Sequence, residues 1–289
     1  MPAGESDYPT VVESDNSSST GSDEDDNTVM IDFIGLHPSE EDRDEICQFL
    51  GMLFPASKVD LSQLAMEIAK TSNVGAVFKI DPSKEEDEEM EDPLEAFSDN
   101  CIFGVVSAFQ LTLVIFFQKP SASQVVDFLI AKCNSSKASG STKKSCIGLL
   151  KSCDKLVFLV NERLPTLPAK IAAMALNALL KDLAIFEFDY IVTVTRLVQT
   201  EVKSRTKRTR NGSCATSNDE SYILPEERQF DLHSELCFEY NLDGGSEGER
   251  AVKTEEGKMF NRVVLMEKNE FVAAVNEIVQ QYTPDKSGC

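Results

Sequence analysis

Net negative charge in this sequence is concentrated in two blocks, and that segregation decides which parts of the chain can fold. The formal charge of the 289 residues is −21. Met1 to Met30 carries eight acidic and no basic residues: Glu5, Asp7, Glu13, Asp15, Asp23, Glu24, Asp25 and Asp26. Asp81 to Asp99 carries ten acids, among them Glu85, Glu86, Asp87, Glu88, Glu89, Glu91 and Asp92, against the single Lys84. These blocks hold −8 and −9 of the total, which leaves −4 for everything else. A nearly neutral body can collapse around its apolar residues, whereas a Ser/Asp/Glu-rich block cannot bury enough surface to offset the entropy of ordering it. Residues 1–28 are therefore expected to form a disordered acidic tail, 81–99 an acidic loop, and 29–283 one folded domain with a short tail, 284–289, behind it.

Within that body, patterns of period two and of helical period interleave without a repeat. Val29 to Ile34 reads as a first strand, and Ser39 with Asp42 fits a capping box ahead of a helix striped by Ile46, Phe49, Leu50 and Leu53. Asp60 can cap a second helix carrying Leu61, Leu64 and Ile68, and Gly75 to Ile80 reads as a strand. Ile102 to Phe117 predicts one long strand, Ser123 to Cys133 a short helix, and 134–144 a linker. Leu156 to Val160 is an apolar run of the kind buried on both faces. Pro168 then opens a helix with Ile171, Ala175, Ala178 and Leu179 on one side. From Phe186, an alternation places Phe186, Phe188, Tyr190, Val192 and Val194 on one face and Glu187, Asp189, Thr193 and Thr195 on the other. Leu236 to Leu242 and Phe260 to Met266 predict further strands, and Phe271, Val275, Ile278 and Tyr282 a last helix. The fold class that follows is α/β: a single domain with a mixed, twisted sheet covered by helices.

Catalytic signatures are missing. There is no Gly-x-x-x-x-Gly-Lys-Ser/Thr loop, no Gly-x-Gly-x-x-Gly turn after a strand and no Gly-x-Ser-x-Gly elbow. Eight cysteines (Cys47, Cys101, Cys133, Cys146, Cys153, Cys214, Cys237 and Cys289) include no Cys-x-x-Cys pair and read as reduced, mostly buried thiols. Neither they nor the isolated His37 and His233 have the spacing of a metal site. His37 is expected in a solvated loop. His233, Glu235, Cys237 and Glu239 share one face of a predicted strand and could form a nucleophile-and-base cluster, but the spacing is what any solvent-facing strand produces. No cofactor, no catalytic residue and no membrane span are expected; the most apolar stretch falls short of the roughly 20 residues a bilayer requires.

The acidic blocks point to a function as a flexible polyanion for basic protein partners, with direct nucleic-acid binding disfavoured by the sign of the charge. The candidate contact residues are Asp23 to Asp26, Glu85 to Glu89, Glu91 and Asp92. A basic loop at 201–218, with Lys203, Arg205, Lys207, Arg208 and Arg210, could be a nucleic-acid patch, a nuclear import signal or a loop drawn to the acidic blocks; import is the preferred reading. Thr20 and Ser22, each followed three residues later by an acid, are candidate phosphorylation sites.

Several landmarks along the chain resemble the BCCIP family. They are Val29-Met30-Ile31-Asp32-Phe33 after an acidic tail, Gly75 to Lys79, Phe103 to Ser107 after an acidic loop, and Phe188-Asp189-Tyr190. Pro225-Glu226-Glu227, Arg262 to Met266 and, most specific, Leu159 to Ala172 complete the set. The last contains Asn161, Glu162, Arg163 and Pro168, with Asn161 and Ala169 departing from the family's habit around what reads as a turn. The resemblance implies a fold similar to GNAT-type acetyltransferases without their acetyl-coenzyme A chemistry. The nearest approach to the pyrophosphate loop of that superfamily, Gln48 to Gly51, falls inside a predicted helix. It also implies a nuclear, shuttling adaptor or chaperone for a basic large-subunit ribosomal protein, with roles in ribosome biogenesis, nuclear export and protein transport. In animals it further implies genome maintenance and cell-cycle control through recombination proteins and a cyclin-dependent-kinase inhibitor. An acyltransferase with an unrecognised cofactor loop is the reading from the opposite class.

Overall fold

A computed structural model describes residues 31–70, 74–81, 101–111, 120–201, 218–242, 253–254 and 257–283. The acidic tail, the acidic loop after Asp81, the basic cluster, Thr20 and Ser22, and Cys214 and Cys289 all lie outside these residues.

The strands are β1 (Phe33–Leu36), β2 (Ala76–Ile80), β3 (Gly104–Gln110), β4 (Leu156–Arg163), β5 (Tyr190–Glu201), β6 (Asn218–Tyr222), β7 (Leu236–Asn241), β8 (Lys253–Thr254) and β9 (Gly257–Glu267). They form one sheet in the order β1-β2-β3-β4-β5-β9-β7, with β6 paired to β5 and β8 to β9. Every pairing is antiparallel except β4 with β5. The sheet is mixed, as expected. The parallel step requires a crossover, and α5 (Ala169–Asp182) supplies it.

Alternation along the strands divides the core in two. Val105, Phe109, Leu156, Phe158, Val160, Val192, Val194, Val263 and Leu265 enter one apolar cluster. Their neighbours Val106, Ala108, Val157, Leu159, Ile191, Val264 and Met266 enter the other. Helices α1 (Arg43–Leu53), α2 (Leu61–Lys70), α3 (Pro120–Ser135) and α4 (Gly140–Ser152) contribute to the first cluster, and α5, α6 (Arg228–Leu232) and α7 (Lys268–Tyr282) to the second. The central strands are buried on both faces by this three-layer arrangement, which explains the continuous apolar run in β4.

Local chemistry accounts for the helix starts. The Asp42 carboxylate accepts hydrogen bonds from the Ser39 backbone N–H and hydroxyl, both at 2.8 Å, and Ile46, Phe49, Leu50 and Leu53 are buried behind it. Asp60 accepts from the Gln63 N–H at 3.0 Å and so caps α2. Pro168 sits one residue outside α5, at its N-cap.

Several expectations need correction. The first strand starts at Phe33 and runs on to Leu36. The long strand from Ile102 shrinks to Gly104–Gln110. The stretch 134–144 is no linker: α3 continues to Ser135, and Ser139 caps α4 by accepting from the Thr142 N–H at 3.1 Å. Its Ser, Lys and Gly residues have low helix propensity, yet Cys146 and Leu150 anchor the helix by burial. The alternation from Phe186 breaks at Tyr190: Phe186 and Phe188 precede the strand and pack on the face opposite Val192 and Val194. The Thr face of β5 is buried too, since the Thr193 hydroxyl donates to Leu159 O and the Thr195 hydroxyl to Arg262 O.

Candidate functional site

The parallel crossover from β4 to β5 is where an α/β sheet would receive an anionic ligand, at the C-terminal end of the strand and the N-terminus of the helix behind it. Pairing between β4 and β5 covers only Leu156–Leu159 against Tyr190–Thr193. Beyond Thr193 the two strands part, and the opening is filled by the protein itself.

Two landmarks far apart in sequence fill it. Pro225-Glu226-Glu227, a short 3-10 turn, brings two buried carboxylates to the end of β4. Arg163 donates through Nε and Nη2 to the Glu226 carboxylate at 3.2 and 2.8 Å, a two-pronged pair buried at 1% and 0% side-chain exposure. Its Nη1 donates to Leu164 O and Leu167 O, so the same side chain ties down the loop into α5. Arg196 of β5 pairs with Glu162 of β4 at 3.2 and 2.6 Å. Asn161 Nδ2 donates to Glu227 Oε1 at 3.2 Å, and the Arg196 backbone N–H donates to Glu227 Oε2 at 3.4 Å. A carboxylate thus takes up a strand amide where the two strands separate.

This cluster contains three carboxyls and two guanidiniums, so full ionisation would leave one uncompensated buried charge. Burial pushes the Glu162 carboxyl up to about 7 despite Arg196, with Glu226 pushing the same way. Burial, then Glu162 and Glu226, raise Glu227 well above the usual carboxylate range. Glu227 faces no guanidinium head-on, so the upward push of burial on it is little offset.

The residues here do not fit a pyrophosphate cofactor. In the loop 164–168, Pro165 and Pro168 have no N–H, while the N–H groups of Leu164 and Leu167 already donate to Phe103 O and Leu164 O. A phosphate cradle needs outward-pointing amides, and the space beside this loop is occupied by carboxylates that would repel an anion. Gln48 to Gly51, by contrast, lies inside α1 and faces a different layer. Asn161, Glu162 and Arg163 belong to the strand and the buried cluster, not to a turn, so their role is to close the opening in the sheet.

The other candidates resolve differently. His37 is half-buried, not solvated, with Nδ1 3.1 Å from Gly75 O. His233 ends α6 and does not lie on a strand, because β7 begins only at Leu236. It faces Glu270 and Glu277 of α7 at 2.8 and 3.3 Å. Glu239 instead engages Arg262, which also holds Asp231 at 2.7 Å and Glu220 at 3.0 Å. Cys237 has its thiol pushed up by burial and Asp231, the wrong direction for a nucleophile. Among the described residues no group of three or more His, Cys, Asp or Glu is arranged to hold a metal ion, and no helix is long and apolar enough to cross a membrane.

One feature of the topology bears on the acidic blocks. The Asp81 N–H donates to Asp32 O at 2.9 Å, and the Phe103 N–H to Phe78 O at 2.8 Å. The chain therefore enters β1 from residue 30, leaves β2 toward residue 82 and returns to β3 from residue 100 at one corner of the sheet. Both acidic blocks are tethered at that corner.

Comparison with known proteins agrees with the landmarks. The family model described as BCCIP matches residues 28–230. The chain belongs to the BCCIP family. A Drosophila melanogaster protein described as "Protein BCCIP homolog" is 24% identical over 259 residues, covering 86% of this chain and 84% of that one. The crystal structure of BCP1 from Saccharomyces cerevisiae covers 89% of this chain and 93% of its own with a TM-score of 0.56 at 18% identity, a likeness of fold. For a BCCIP-type protein, the buried Glu/Arg cluster explains why the Asn161-Glu162-Arg163 and Pro225-Glu226-Glu227 landmarks occur together: neither is stable in the core without the other.

Proposed function

We propose that this BCCIP-type, protein-binding chain is a non-enzymatic nuclear adaptor or chaperone. Its clients are basic proteins, in particular a protein of the large ribosomal subunit, and its work lies in ribosome biogenesis, nuclear export and protein transport. The observation that carries the reading is the common tether of the two acidic blocks. The chain meets the fold from the first block at Asp32 and leaves it toward the second at Asp81, at one corner, so the charges of −8 and −9 held by Met1–Met30 and Asp81–Asp99 act on one client together. Two such blocks raise the rate of capture and shield a cationic surface from other polyanions.

The filled opening between β4 and β5 supports a body without catalysis. It fits the view of the fold as a GNAT-type frame in which protein carboxylates stand where acetyl-coenzyme A would be bound. The Lys203 to Arg210 cluster serves nuclear import in this reading.

The test is calorimetry of the full chain with a purified basic large-subunit ribosomal protein across a salt series. Binding should weaken steeply between roughly 50 and 300 mM salt, over which the screening length contracts from about 14 to 6 Å. Replacing Asp23 to Asp26 and Glu85 to Asp92 by their amides should weaken it at least about tenfold and flatten the salt dependence. Unchanged affinity in the amide variant would overturn the proposal, as would heat on titration with acetyl-coenzyme A.

A further inference from the structure

Far from the acidic corner, the described surface contains a depression of the opposite sign. It lies where the C-terminus of α3 meets the end of β7 and the starting end of β9, with a cavity volume of about 340 Å³. Lys132, Lys137 and Lys258 line it, together with Ser135, Ser136 and Asn241. Among the described residues none of these three ammonium groups forms an ion pair with a carboxylate. Glu239 also lines the cavity, but its carboxylate is already held by Arg262 Nε at 3.0 Å and by Nη2.

The pocket is built, not merely a loose gathering of surface lysines. The Lys132 ammonium sits 5.5 Å from the centre of the Phe128 ring and 5.0 Å from that of Tyr240. These rings meet edge to face at 5.9 Å. Tyr240 is in turn locked, its hydroxyl donating to Leu53 O at 3.3 Å and accepting from Asn261 Nδ2 at 3.1 Å. The cation is thus held at the mouth by two fixed aromatic faces. Ser135 and Ser136 belong to the last turn of α3, and their hydroxyls already donate to Lys132 O at 3.1 Å and Cys133 O at 2.8 Å, so the ammonium groups are the donors this pocket offers to a ligand.

We propose that this pocket binds a compact phosphate monoester. Three ammoniums match a group carrying about −1.5 to −2 at neutral pH with three acceptor oxygens, and the volume falls at the lower end of small-ligand sites. Nucleic acid fits worse: Tyr240 and Phe260 are each only 6% exposed, which leaves no aromatic platform for a base, and a long polyanion would meet the acidic remainder of the chain. A compact dianion does not. The pocket borders β9 and β7, while the acidic blocks are tethered at β1 and β2; from β2 to β9 is four strand spacings, about 19 Å at ~4.8 Å each, twice the screening length of about 8–10 Å. The proposal is independent of the client-binding reading, since it involves neither acidic block.

The experiment is titration of the full chain, followed by NMR and calorimetry, with inorganic phosphate, free phosphoserine, a phosphoserine peptide and its unphosphorylated counterpart, and a short single-stranded RNA. Saturable binding of the phosphorylated ligands, weakened about tenfold or more by Lys137→Gln with Lys258→Gln, is the expected result; tenfold corresponds to about 1.4 kcal/mol. Tighter binding of the peptide than of phosphoserine would identify a modified protein as the source, and equal binding a small metabolite. Both lysines are on the surface, and an unchanged thermal melt of the double variant shows that its fold is intact; Lys132→Gln provides a second variant. No saturable binding at low salt, binding indifferent to all three lysines, or RNA binding more tightly than any monoester would each overturn the proposal.

Discussion

Replacing Arg163 by methionine tests the buried cluster most directly. The guanidinium is 1% exposed and, among the described residues, is the only cation paired with the fully buried Glu226 carboxylate. Arg163→Met therefore removes two charge-assisted hydrogen bonds to Glu226 and two more to the carbonyls of Leu164 and Leu167. It also leaves Glu162, Glu226 and Glu227 with Arg196 as their single counter-charge. Breaking one side of a buried ion pair costs about 3–5 kcal/mol, because the remaining charge has neither partner nor water. At roughly 2–4 °C of melting temperature per kcal/mol for a chain of this size, the melt should fall by on the order of 10 °C.

The same reasoning predicts that Arg163→Met with Glu226→Met recovers most of the loss, since an apolar pair of similar volume has no charge to strand. Gly104 leaves room for such a replacement. A Cβ there would come within 2.5 Å of Arg163 Cβ, so the strand opposite is already cut back to admit a long side chain at 163. Urea denaturation of wild type, both single variants and the double variant gives the coupling energy as a double-mutant cycle. If the double variant were as unstable as the sum of the singles, or if Arg163→Met were neutral, the account of a mutually dependent plug would be refuted.

Other outcomes follow from the same structure. Gly75 has φ +88° and a Cβ placed there would lie 2.2 Å from Val106 O; Gly75→Ala should destabilise by at least about 2 kcal/mol in denaturant titration, combining strain with a backbone clash. His233 has its pKa raised chiefly by the hydrogen bond to Glu270, with Glu277 adding to it. Its stabilisation of the α6–α7 junction is therefore fully present below the unfolded value of about 6.5 and lost as pH rises through the folded value. His233→Gln should flatten that part of the stability profile. Glu162 acts in the same direction for the converse reason: its carboxyl is raised to about 7 in the fold, so protons leave the unfolded chain first and stability declines between about pH 4.5 and 7. Glu162→Gln should abolish that slope, measured by melts across the range.

How much of this was legible in the sequence depended on whether the signal was local. The stripe Ile46, Phe49, Leu50 and Leu53, the caps at Asp42 and Asp60 and the run Leu156 to Val160 are statements about neighbours a turn or two apart, and they hold in the structure. Helix α4 was missed because its Ser, Lys and Gly residues read as a linker, while the burial of Cys146 and Leu150 that holds it depends on a sheet contributed by distant segments. The plug was illegible for the same reason. Asn161-Glu162-Arg163 and Pro225-Glu226-Glu227 stand 63 to 66 residues apart in their contacts, and taken separately each reads as an exposed polar turn. The one usable clue was compositional: a polar triplet with two charges, Asn161-Glu162-Arg163, directly continuing the apolar run Leu156 to Val160. A charge in such a place must find an opposite charge in the core.

The same logic of position links the two ends of the functional reading. The acidic blocks and the lysine pocket carry opposite signs in one chain, and they would neutralise each other if the topology brought them together. The strand order sets β3, β4 and β5 between the β1–β2 corner and the β9–β7 edge. Those three strands are also the ones that the Glu162–Arg196 and Arg163–Glu226 pairs seal against solvent. An open cleft there would admit water and counter-ions between the poles and give the acidic blocks a nearer cationic target in Arg163 and Arg196. By satisfying those guanidiniums internally, the plug removes them as exposed cationic targets.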